Sequence, residues 1–62
     1  MTTITATDKL REIDRELGQH RHVYARRVAD GKMTQQAADR QIAVMEAIRA
    51  DYEPQANKER LL

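Results

Sequence analysis

The segment Ala29-Asp30-Gly31-Lys32-Met33-Thr34 divides the chain into two stretches of helical periodicity. Gly31 suits the left-handed conformation that closes a helix. Thr34 suits the N-cap of the next helix, with Met33 one residue earlier, where a hydrophobic staple begins. So short a connection between two helices sets them antiparallel. The fold class this implies is all-α, an antiparallel helical hairpin forming a single domain over residues 1–62.

Before the junction, Leu10, Ile13, Leu17, Tyr24 and Val28 recur at spacings of 3, 4, 7 and 4. At about 100° per residue they form a stripe about 60° wide. The pattern predicts a helix over about residues 8–29, with Thr7 as N-cap and Asp8 in the first turn, where its charge suits the helix dipole. Met1 to Ala6 are Thr-rich and aperiodic, and read as a disordered tail. After the junction, Ala38, Ile42, Met45, Ile48 and Tyr52 mark a helix over about residues 35–53. Ala37 and Val44 widen its apolar arc to about 160°, more than one neighbouring helix covers. Glu46–Arg49 and Arg49–Glu53 have the spacing of favourable pairs within a helix. Pro54 disfavours helical geometry at Glu53, so a stop or kink is expected there. Residues 54–62 are uncertain, with a short third helix possible behind Pro54 at its N1 position. Leu61 and Leu62 are the apolar anchors of that segment.

Burial is scarce in such a hairpin. Leu, Ile and Val together supply 11 of 62 residues, and nine more apolar positions are Ala. Alanine favours helix but buries little surface. Below about 70–80 residues a single core rarely supplies more than about 3–5 kcal/mol. Dimerisation into a four-helix bundle is therefore expected, with the ten stripe residues of the two helices in the core.

The stretch from Arg21 to Ile48 reads R-H-V-Y-x-R-R-V-x-x-G-K-M-T-x-x-x-A-D-R-Q-I-A-V-M-E-A-I. It resembles a group of short uncharacterised proteins of proteobacterial genomes, many of them in phage or prophage regions. The resemblance spans about Glu12 to Leu62 and is carried by Val23-Tyr24, Gly31, Ala38, Ile42, Met45 and Ile48. Members commonly have Pro after the Tyr, where this chain has Ala25. The resemblance implies a phage-type accessory context and no particular activity.

The remaining residues exclude more chemistry than they offer. With no Cys there is no disulfide framework and no thiolate metal site. No apolar run approaches the roughly 20 residues that span a bilayer. Residues 1–10 have neither the basic nor the apolar region of a secretory signal, so a cytoplasmic location is expected. His20 and His22, two apart on a helix, point in different directions. Glu16–His20 has a ligating spacing but supplies two groups only, so no metal is expected. No nucleophile–base arrangement or phosphate-binding loop is present, which predicts a protein without catalytic residues or cofactors.

Two surfaces remain as candidates. Val23 lies off the core stripe, and Gly18, Ala25 and Ala29 form a strip of small residues on the same helix. With Ala37 and Val44 they make a candidate interaction surface for a protein partner. Arg11, Arg15, His22 and Arg26 share the face opposite the apolar stripe, a candidate nucleic-acid face. Glu12 and Glu16 border that face, and no aromatic is placed there to stack on bases. Charge at +1 overall adds no general attraction to polyanions. The leading expectation is a small protein–protein interaction module, and the alternative is a nucleic-acid-binding helical bundle.

Overall fold

The computed structural model describes residues 3–61. Two helices, α1 (Ala6–Ala29) and α2 (Gln35–Arg60), pack against each other as an antiparallel hairpin. Its Cα extents are 47 × 22 × 15 Å, a slab one helix thick. Among the described residues no helix is long and apolar enough to cross a membrane.

The junction forms as its residues require. Gly31 takes φ +71°. The Gly31 N–H donates to the Val28 carbonyl at 3.1 Å, and the Lys32 N–H to the Arg27 carbonyl at 2.9 Å. That pair of bonds is a Schellman closure, which satisfies carbonyls left open at a helix end. Thr34 caps α2 by accepting from the Ala37 N–H at 3.1 Å. Met33 and Ala38 occupy the two staple positions and are half-buried and buried respectively.

Both outer helix ends differ from the periodicity. Helix α1 begins at Ala6, with Thr5 and not Thr7 as its N-cap. Thr5 and Asp8 have the spacing of a capping box: the Thr5 hydroxyl accepts from the Asp8 N–H at 3.0 Å, and the Asp8 carboxylate accepts from the Thr5 N–H at 3.1 Å. Thr7 has Leu10 three residues on, which offers no such reciprocal bond. The part of the expected tail that includes Thr5 and Ala6 is thus structured, whereas Met1 and Thr2 lie outside the described residues. Helix α2 runs through Pro54 to Arg60 with no break and no third helix. Pro54 and Ala50 are exposed, so the carbonyl that loses its partner stays open to water. Beyond them Ala56 is 1% exposed and Glu59 bonds to the start of α1, contacts that the continued helix makes possible.

The core is thin. Leu17, Ala38, Ala6 and Ala56 are buried, and among the described residues no large side chain is completely enclosed. Leu10, Ile13, Tyr24, Val28, Ile42, Met45 and Tyr52 are half-buried along the seam, as the stripe places them. Ile48 departs from its expected core position, at 43% exposed. It lies at the edge of the α2 arc, and α1 covers only the centre of that arc. Leu61 is 87% exposed and anchors nothing, while Leu62 lies outside the described residues.

Candidate interaction surface

The two broad faces of the slab differ in chemistry. One is closed by ion pairs across the seam. Arg49 Nε donates to Asp14 Oδ1 at 2.6 Å, and its Nη1 donates to Glu53 Oε2 at 2.6 Å. Arg21 Nη2 donates to Glu46 Oε1 at 2.9 Å. The Arg49–Glu53 pair forms at its expected spacing. Glu46 instead reaches across to Arg21, and Arg49 takes Asp14 on the antiparallel helix as well as Glu53 on its own. Arg49 is half-exposed and its partners, like Arg21 and Glu46, are exposed, so the pairs add little stability individually. What they do is leave this face polar.

The other face is apolar and open. Ile4, Ile13, Ile48 and Tyr52, with Asp8, Lys9 and Glu12 beside them, line one shallow depression on it. Lys9 Nζ lies 5.1 Å from the centre of the Tyr52 ring, a cation–π contact across the seam. Further along, the His20 ring stacks on Tyr24 at 5.3 Å between centroids. Its Nδ1 is 3.0 Å from Met45 Sδ, and its Nε2 is 3.5 Å from Glu16 Oε2. His20 is half-buried at the seam and His22 is exposed. Among the described residues no three metal-ligating side chains converge. Val44 stands one turn before Ile48, and Val23 two turns after Glu16, so both open onto this face. Their exposures are 40% for Val44 and 45% for Val23, beside 62% for Ile4.

The six candidate interaction residues are all exposed but do not form one surface. Val23, Ala37 and Val44 share the apolar face. Gly18, Ala25 and Ala29 lie on the far side of α1, and Ala25 lines a depression beside Arg21 and Glu46 on the ion-paired face. A Cβ added at Gly18 would meet nothing within 4 Å, so the space beside it is open within the chain. Ile4 and Ile48 complete the apolar face and were not among the candidates. Ile4 lies in an aperiodic segment, where spacing carries no signal, and the periodicity of Ile48 points equally to core and edge.

Arg11, Arg15, His22 and Arg26 do share the outer face of α1, over about 22 Å of helix. Arg15 is engaged there by Glu12 and by Glu16, the latter at 3.2 Å. The hydrogen bond to Arg15, with its charge, holds the Glu12 carboxyl below its ordinary range. At the open end of the hairpin, Glu59 accepts from the Thr7 hydroxyl at 2.7 Å, the Ala6 N–H at 2.8 Å and the Thr7 N–H at 3.0 Å. These bonds, the hydroxyl first, hold the Glu59 carboxyl below its ordinary range. The negative end of this side chain caps the positive end of α1. Comparison with models of known families, with curated proteins and with solved structures gives no match.

Proposed function

We propose that the chain is a non-enzymatic, cytoplasmic protein–protein interaction module whose working surface is the apolar broad face. One observation carries this reading: Ile4, Val23, Val44 and Ile48 stand exposed on one face, while the opposite face is closed by cross-helix ion pairs. Scattered exposed apolar residues are ordinary, but a set gathered on one face marks a contact surface. The resemblance to short phage-associated proteins adds an accessory role among host or phage proteins.

The test compares tagged wild type with Val44→Glu/Ile48→Glu, after circular dichroism has established equal helix content. Wild type is expected to retain protein, a second copy of itself included, that the variant loses. Wild type that retains none, or a variant that retains the same set, overturns the reading.

Nucleic-acid binding through Arg11, Arg15, His22 and Arg26 is the second reading. It is favoured by four exposed basic side chains on one helix face and opposed by the two glutamates on Arg15. It predicts RNA or DNA binding that weakens steeply with salt and disappears in Arg11→Glu/Arg26→Glu.

A further inference from the structure

We infer that the occupant of the apolar face is a second copy of this chain, stacked so that α1 lies antiparallel on α1 and α2 antiparallel on α2, with the two loops at opposite ends. The inference rests on the interaction reading above and specifies the partner and its orientation.

Surface area argues for a partner of this size. The chain exposes 5016 Å². A compact monomer of 7.2 kDa exposes about 4,100 Å², which leaves an excess of about 900 Å². A standard interface buries about 800 Å² per partner. The broad face, 47 × 22 Å between Cα atoms, is large enough to supply it. The radius of gyration says the same: it is 14.5 Å, where a compact body of this length has about 11 Å. A value of about 14 Å belongs to a compact body of twice the length. Adding a second layer makes four helices around one core, in which Met45, Ile48, Tyr52 and Ile13 become interior.

Charge selects the orientation. Two hairpins placed face to face are related by a two-fold axis lying either across the helices or along them. The His20–Met45 contact sets Gln19 level with Glu46, within two residues of mid-length. With the axis across the helices at that level, Glu12 of one copy comes level with Arg26 of the other, and Arg40 comes within one residue of Asp51. Val44 then comes level with Ile48 of the other copy. Both charged pairs are of opposite sign and their members are exposed, Glu12 sharing its carboxylate with Arg15 of its own helix. With the axis along the helices, α1 lies on α2 of the other copy. Glu12 then comes within a turn of Asp51, and Arg26 within a turn of Arg40, so both pairs are of like sign. Opposite charges favour the first arrangement, and like charges act against the second.

Light scattering on the full chain is expected to give twice 7.2 kDa, and Val44→Glu/Ile48→Glu, still helical, to give 7.2 kDa. The absence of Cys permits a test of register. V44C mixed with I48C and oxidised is expected to give the mixed disulfide in good yield. Glu12→Arg alone and Arg26→Glu alone are each expected to weaken association about 2- to 30-fold, since the symmetry repeats each rim pair twice. The double variant is expected to recover it. A monomer at high concentration, a trimer or tetramer mass, failure of V44C to cross-link with I48C, or a double variant no tighter than either single overturns the inference. If the monomer still binds a hydrophobic dye that Val44→Glu/Ile48→Glu releases, only the choice of partner has failed. If it binds no dye, the interaction reading fails with it.

Discussion

Replacing Leu17 by Ala tests how much of this fold depends on a single side chain. Leu17 is 3% exposed, at the middle of α1, and the other buried positions are alanines. Truncating a buried Leu costs about 2–5 kcal/mol, from lost transfer energy and from the cavity left behind. Helix propensity offsets little, since Leu and Ala both rank near the top. A chain of 62 residues is stable by about 3–9 kcal/mol at typical values per residue, so the change removes a large part of the total. At about 4–8 °C per kcal/mol for a domain this small, even the lower cost lowers the melting temperature by about 8–16 °C. The assay is a thermal melt followed by circular dichroism at 222 nm, run at one fixed protein concentration so that association does not shift the midpoint. Gln36→Ala, at an exposed position in the first turn of α2, is the control and is expected to change stability by no more than about 0.5 kcal/mol. A Leu17→Ala melt less than about 4 °C below wild type, or indistinguishable from the control, refutes the argument that the seam around Leu17 holds the hairpin together.

Glu59 predicts a pH dependence with a definite sign. Its folded carboxyl lies below the ordinary 4.5, so its contribution is full above about that pH and is lost as pH falls through the lowered folded value. Asp8, lowered by its bonds to Thr5, acts in the same direction. Urea midpoints between about pH 3 and 6 are expected to fall less steeply for Glu59→Gln than for wild type; equal slopes sink the capping role. Gly18→Ala is expected to stabilise by about 1 kcal/mol without altering the mass in solution, because the added Cβ meets open space. A Gly18→Ala protein that loses association would place a contact on the small-residue strip after all. Pro54→Ala restores a donor to the Ala50 carbonyl in a helix interior, where Pro is about 3 kcal/mol less favourable than Ala, so helical signal and melting temperature are both expected to rise. A lower melting temperature would mean that the proline shapes the path along which Ala56 and Glu59 reach α1.

The apolar face was legible in part. Val23, Ala37 and Val44 are found by their phase on the helices, since phase alone says which residues lie off the seam. The same rule puts Ile48 in the core, because a helical phase gives an angle and does not say how much of the arc a neighbour covers. Gly18, Ala25 and Ala29 share a phase too, but small residues in a row invite a neighbour without supplying one. The basic set on α1 is located correctly by spacing. The glutamates that engage Arg15 stand one and three residues from it, so the pairing is local and was visible as a border of opposite charge.

What depends on near neighbours along the chain can be read from residue order alone. The stripe from Leu10 to Val28, the glycine that alone suits φ +71°, the threonine cap at Thr34 and the antiparallel turn between them are all set by spacings of a few residues. Tertiary structure decided the outer ends and the faces. Pro54 is a local signal to stop, overridden because Ala56 and Glu59, distant in sequence, find the start of α1. Arg49 and Glu46 chose partners on the opposite helix, which made one face polar and left the other open. Local propensity amounts to less than about 1 kcal/mol for ordinary residues and about 3 kcal/mol for a proline inside a helix, magnitudes that burial and charge brought in by the other helix redirect at particular positions.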